Sequence, residues 1–171
     1  HSDSNRDALA QLIALGGGRG RVIDLGTGPG DIPILIAQAC PQAHIVGVDA
    51  AATMLAIARV KIASANLTDR IEFKQAEVKA LPYQSESFDC VFSNTILHHI
   101  PEPLLFLREA WRVLAPDGVL MIRDLYRPKT EEDAWALVNK YAKDDSESQR
   151  KLFFDSLHAA LTLEEARSVV I

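Results

Sequence analysis

No apolar run in this 171-residue chain approaches the roughly 18 residues that a membrane-spanning helix requires. The opening His1-Ser2-Asp3-Ser4-Asn5-Arg6 has neither the basic nor the apolar stretch of a secretory leader. A soluble, intracellular protein, cytoplasmic and without a membrane partner, is expected. Cysteine is scarce as well. Cys40 and Cys90 are too few and too scattered for a disulfide framework or a zinc site, and read as buried small apolar residues. With 9 Gly and 8 Pro the chain falls outside the collagen-like and disordered classes. An excess of positive charge is also missing: 18 Lys and Arg against 23 Asp and Glu leave a net −5, which disfavours a nucleic-acid backbone as partner.

What is present, 48% hydrophobic and 24% charged residues, suits one globular domain over residues 1–171. Segments rich in β-branched residues alternate with helical spacing, the pattern of a parallel α/β sheet with both faces covered. The predicted strands are Arg21 to Leu25, His44 to Val48, Arg70 to Lys74, Phe88 to Ser93 and Val119 to Leu125. Ser4 is expected to cap a first helix that Gly16-Gly17-Gly18 ends, and Asp31 to open a second that stops before Pro41. Ala51 to Ala65 reads as a third helix. Pro101 and Pro103 open a fourth, with Leu104, Leu107, Trp111 and Leu114 as its apolar face, and Pro116-Asp117-Gly118 turns into the last strand. Ala76 to Ser87 is too broken for a helix and crosses as extended chain, for which about 33 Å per ten residues suffices. Beyond residue 125 the spacing predicts helices over Thr130 to Lys143, Ser146 to Ala160 and Thr162 to Val170, with capping-box spacing at Thr130/Asp133 and Thr162/Glu165.

The segment Val22-Ile23-Asp24-Leu25-Gly26-Thr27-Gly28-Pro29-Gly30-Asp31 carries the most chemistry. It puts a glycine-rich turn between a strand and a helix, where open α/β sheets bind ligands. A dinucleotide fingerprint requires glycines at offsets 0, 2 and 5, and the last of these is Asp31, whose charge opposes a phosphate at a helix N-terminus. Glycines at Gly26, Gly28 and Gly30, with Asp24 two residues earlier, instead resemble motif I of the class I S-adenosylmethionine-dependent methyltransferases. Read structurally, the same glycines need only make a tight turn.

Three further stretches carry the resemblance through the UbiE-like, small-molecule branch of that family, over about Arg21 to Leu125. Val46-Gly47-Val48-Asp49 places an acid 23 residues after Gly26, where an acid can accept from ribose hydroxyls or cap the next helix. Ala76-Glu77-Val78-Lys79-Ala80-Leu81-Pro82-Tyr83, running on to Ser87-Phe88-Asp89, is similar to the family's base-binding segment, although the family more often has Asp where Glu77 stands. Leu97-His98-His99-Ile100-Pro101, with Leu107-Arg108-Glu109-Ala110-Trp111-Arg112-Val113-Leu114, completes the likeness. The resemblance implies a Rossmann-like, doubly wound sheet of order 3-2-1-4-5 with helices on both faces. It also implies S-adenosylmethionine as cofactor, S-adenosylhomocysteine as product, and a small-molecule acceptor methylated on oxygen, nitrogen or carbon. The residues it marks for the cofactor are Asp24, Leu25, Gly26, Thr27, Gly28, Gly30, Asp49, Ala50, Met54, Glu77, Val78, Ser93 and Asn94, the last two facing the reactive methyl.

His98 and His99 are the candidate general bases, required only for an acceptor that keeps its proton near neutral pH; otherwise they bond the loop or pack. With Glu102 they lack metal-site spacing, so no metal is expected. Tyr126, Arg127, Trp135, Tyr141, Phe153, Phe154 and His158 are candidates to line an acceptor pocket, and Asp124 and Arg127 to contact the acceptor, with ordinary core packing and ion pairing as the plainer roles. Two other readings stand beside this one: a domain that binds the cofactor or a partner without transfer, and a nicotinamide-dependent oxidoreductase. The family's sheet has seven strands. Strands 6 and 7 are not found before the apolar ending Val169-Val170-Ile171, so a shortened domain is expected, with His1 a processing remnant and an exposed fifth-strand edge suited to a homodimer.

Overall fold

β-branched runs favour strands because their stiff side chains pack on a pleated surface, and here each such run is a strand of one sheet. The computed structural model describes residues 2–170, so expectations attached to His1 and Ile171 lie outside the described residues. The elements are α1 (Ser2–Ala14), β1 (Gly20–Leu25), α2 (Asp31–Ala39), β2 (Ala43–Asp49), α3 (Ala52–Ser64), β3 (Ile71–Gln75) and β4 (Phe88–Asn94). A 3-10 turn (Leu97–His99), α4 (Pro103–Val113), β5 (Leu114–Arg123), α5 (Glu131–Tyr141), α6 (Glu147–Ala159) and α7 (Leu163–Val170) follow.

All pairings are parallel, in the order β3-β2-β1-β4-β5. The chain winds outward from β1 in one direction and then resumes at β4 on its other side. The carboxyl ends of β1 and β4 therefore flank the point where the winding reverses, the place such sheets leave open for ligands. Val22, Ile23 and Leu25 of β1 and Val91 and Phe92 of β4 are completely buried, which fixes the register. Among the described residues β5 is the last strand, and only an isolated bridge between Tyr126 and Leu161 follows it.

The chain forms two compact units. A sheet unit comprises the residues up to Asn94 together with Leu105–Arg123; a helical unit comprises Thr95–Leu104 and the residues from Asp124 onward. The change of character expected at residue 125 thus comes at 123, and the loop after β4 groups with the C-terminal helices.

Several local expectations are corrected. Ser4 lies inside α1 rather than capping it, and its carbonyl and hydroxyl accept from the Arg123 guanidinium at 2.8 and 3.2 Å. The buried face of α4 is Phe106, Ala110 and Val113, whereas Trp111 is 70% exposed and Leu114 already belongs to β5. Pro116-Asp117-Gly118 is a bulge within β5: Leu114 pairs with Phe88, the next partners are Val119 and Cys90, and Asp117 takes a φ of 62°. Cys90 is buried as expected, while Cys40 is half-buried; both are free thiols.

Candidate active site

The loop from β1 into α2 needs its glycines, since Gly26, Gly28 and Gly30 all have positive φ (76°, 54° and 79°). A Cβ on Gly30 would sit 2.9 Å from both Ala58 and Phe73, while one on Gly28 would meet nothing within 4 Å. Gly30 thus allows α2 to pack closely, and Gly28 turns the backbone beside open space. The loop amides are committed internally. Gly26 and Thr27 donate to Val48 O (2.8 and 2.9 Å), Gly28 to Asp49 Oδ2 (2.8 Å) and Gly30 to Thr27 O (3.1 Å). A loop bonded in this way offers no cradle of free N–H groups for a pyrophosphate. Asp31, in the first turn of α2, pairs with Lys61 at 2.6 Å.

Acceptors gather at the strand ends. Asp24 is in register with Gly47 on β2 and Phe92 on β4. Side chains two residues apart share a sheet face, so Asp49 and Asn94 lie on the face of Asp24, one step nearer the carboxyl ends. Asp24 Oδ2, Thr27 Oγ1 and Asn94 Oδ1 are buried without a hydrogen-bond partner. Burial pushes the Asp24 carboxyl up to about 7; the neighbouring Thr27 side chain opposes the shift without reaching hydrogen-bond geometry, and the charge of Asp49 adds to it. Asp49 is half-buried, its Oδ1 accepting from Ala51 N–H (2.9 Å) and its Oδ2 from Gly28 N–H. It therefore holds the glycine loop and the entry to α3 together.

The other residues marked by the sequence fall into three groups. Leu25 is core, and its carbonyl accepts from Ser93 Oγ at 3.0 Å. Ser93 is thus spent on tying β4 to β1, and as the neighbour of Asn94 in the strand it points to the opposite face, unlike the expectation that both face one reacting group. Ala50 is exposed, its carbonyl accepting from Gln75 Nε2 (3.0 Å), and Met54 is 42% exposed on α3. Exposed Glu77 and half-buried Val78 lie just after Ala76, whose N–H donates to the carbonyl of Asp49 (3.1 Å). The third group is in the helical unit. Asp124 Oδ1 lies 2.6 Å from His98 Nδ1 and its Oδ2 accepts from Leu97 N–H, so Asp124 fixes the His98 ring. The His99 ring packs against His98 tilted by 45° with centroids 3.9 Å apart, and its pKa is lowered by burial and by His98, with Asp124 opposing.

Arg127 takes the plainer of its two roles, bonding Glu165 and Ala160 O (2.9 Å). Phe153 and Phe154 pack on Ala134, Val138 and Leu157 as helical spacing suggests, and Trp135 stacks on Phe154 at 4.5 Å. Among the described residues no cluster of His, Cys, Asp and Glu could hold a metal ion. The Val48 carbonyl, which takes two loop amides, has no signature in the sequence, since no side-chain motif marks a backbone acceptor.

A five-stranded, doubly wound parallel sheet with acidic acceptors and no phosphate cradle at its reversal point defines a class I, Rossmann-like domain. Residues 18–165 match the family model described as a methyltransferase domain, and the chain belongs to that family. The demethylmenaquinone methyltransferase of Lactobacillus johnsonii is 37% identical over 107 residues, 62% of this chain and 44% of that protein. A solved structure of a methyltransferase described as putative, from Bacillus halodurans C-125, superposes with a TM-score of 0.72 at 25% identity, covering 96% of this chain and 67% of its own. The (4+2)-cyclase SpnF gives a TM-score of 0.67 at 27% identity, over 74% of this chain and 46% of its own. The chain spans about half the length of the curated relatives it matches.

Proposed function

We propose that the sheet unit binds S-adenosylmethionine at the carboxyl ends of β1, β2 and β4 and that the protein transfers its methyl group to a small-molecule acceptor, leaving S-adenosylhomocysteine. The observation that carries this reading is the set of buried acceptors without partners: Asp24 Oδ2, Thr27 Oγ1 and Asn94 Oδ1, with Asp49 on the same face. Unpaired buried acceptors are costly, by about 1–3 kcal/mol each, and call for a ligand rich in donors and positive charge. An amino acid's ammonium and a pair of ribose hydroxyls meet that demand, whereas phosphates do not.

In this reading Asp24 receives the ammonium and Asp49 the ribose hydroxyls, while Glu77 and Val78 supply the edge that the adenine reads. A carboxylate accepts at about four lone-pair sites, so the two amides already on Asp49 leave capacity for a ligand. The cofactor, when bound, supplies an already activated methyl group. The protein's task is then to hold the acceptor in line and to exclude water. Committed loop amides and Asp31 at the place of the third fingerprint glycine weigh against a nicotinamide cofactor.

A second reading, binding without transfer, draws support from the likeness to a protein named as a cyclase. Titration calorimetry separates the possibilities. S-adenosylmethionine and S-adenosylhomocysteine should give heat and NAD none, and Asp49→Ala should abolish binding. Absence of heat with either sulfur compound would sink the proposal. Labelled methyl transfer to a panel of phenols, amines and activated carbon acids then distinguishes transfer from binding alone.

A further inference from the structure

The stretch Glu109 to Arg112 in α4 recurs in the family resemblance but has no role in the site as described. The side chains of Glu109 and Arg112 face the link of residues 76–87, which contains neither helix nor strand. Glu109 Oε2 accepts from Leu81 N–H at 2.8 Å. Arg112 donates through Nη1 to Tyr83 O (2.8 Å) and through Nη2 to Leu81 O (3.2 Å), and its own carbonyl accepts from Glu86 N–H (2.9 Å). The two side chains also bond each other, Arg112 Nε to Glu109 Oε1 (2.6 Å) and Nη2 to Oε2 (2.8 Å). An i,i+3 pair serving only its helix is a weak, solvent-screened contact and needs no outside partner. Here nearly every remaining polar atom is directed at the backbone of one irregular segment.

That segment is held at a second point, where Ala76 donates to the carbonyl of Asp49 at 3.1 Å. Glu77 and Val78 therefore sit between two anchors five residues apart, Ala76 and Leu81, the latter itself only 6% exposed. We infer that Glu109 and Arg112 are positioning residues that set the place of Glu77 and Val78, and through them the selectivity for a 6-aminopurine over a 6-oxopurine. This rests on the cofactor reading above.

Arg112→Lys is the test, because a single ammonium cannot reproduce a guanidinium fork spanning two carbonyls and a carboxylate. Affinities of the 171-residue chain for S-adenosylhomocysteine and for its 6-oxo analogue, S-inosylhomocysteine, are measured by calorimetry, with amide hydrogen exchange on the ligand-free protein. The variant should bind S-adenosylhomocysteine about tenfold more weakly, equal to about 1.4 kcal/mol, and the inosyl compound almost as before. Exchange should quicken over residues 77–81 and stay unchanged in β1 and β2. Glu109→Gln keeps an acceptor for Leu81 but loses the charge, and should shift selectivity the same way to a smaller extent; it carries the test if Arg112→Lys does not fold. Equal weakening for both compounds, or wild-type selectivity in a less stable variant, overturns the inference while leaving the cofactor reading intact. Failure of the wild-type chain to bind either compound overturns both.

Discussion

The sheet unit buries long stretches of every central strand, whereas the helical unit has a small core. Four consecutive residues of β1, Val22 to Leu25, are at most 2% exposed, and Phe88, Phe92 and Phe106 are fully enclosed. In the helical unit the buried cluster is Ala134, Val138, Ala142 and Leu157, while Tyr126, Trp135, Tyr141, Leu152 and Leu163 are all more than 40% exposed. Dense burial leaves a backbone few alternatives, so the acceptors at the strand ends are held in place by the core beneath them. A core made mostly of small residues tolerates repacking more readily.

Truncation in the two cores exposes this difference most strongly. Phe92→Ala should cost about 3–5 kcal/mol, because a fully enclosed ring in a central strand leaves a cavity that paired strands cannot close. Leu157→Ala, although the residue is 2% exposed, should cost nearer about 2 kcal/mol as the helices draw together. Denaturant unfolding, with hydrogen exchange assigned to each unit, measures both. Equal losses would break the comparison.

The second test goes the other way, since the most deeply buried stretch of the sheet unit also carries a costly group, Asp24. With a folded pKa of about 7, above the ordinary carboxylate value, folded Asp24 holds its proton more tightly than the unfolded chain does. Stability therefore falls as pH rises from about 4 to about 7 and levels off beyond it. Asp24→Asn removes that slope and should stabilise the ligand-free protein by about 1–3 kcal/mol at pH 8, while abolishing cofactor binding. A wild-type melting temperature that does not fall relative to the variant over that pH range would show that Asp24 is already ionised and satisfied.

The same contrast explains what could be read in the sequence. The strands are legible in local β-propensity and the acidic positions in their spacing from the glycine turn, whereas the strand order follows from the family resemblance. The place of Ser4 is not legible, because its partner, Arg123, is 119 residues away. The face of α4 is not legible locally because two apolar sets fit one helical period, and only tertiary packing decides between Phe106-Ala110-Val113 and Leu104-Leu107-Trp111. Within the site the carboxylates could be anticipated, but not the use of Ser93 on the Leu25 carbonyl or the full commitment of the loop amides, which depend on strand register. The fixing of His98 by Asp124 joins residues that follow different strands, and no spacing rule links them.

Helix ends provide the smallest and most local test. In the sheet unit α2 and α3 start at Gly30 and Ala51 with no side-chain cap, held by packing on the sheet. Each helix after β5 instead begins with a bonded hydroxyl. Thr130 Oγ1 accepts from Asp133 N–H (3.1 Å), Thr162 Oγ1 from Glu165 N–H (3.2 Å), and Ser146 forms a full capping box with Gln149. Helices with little buried surface depend on such local bonds to offset the entropy of ordering their first turn. Ser146→Ala should therefore lower hydrogen-exchange protection in the first turn of α6 by about 1 kcal/mol and leave α2 and α3 unaffected. A change below about 0.3 kcal/mol would mean that packing already fixes α6, and that the helical unit is as firmly built as the sheet.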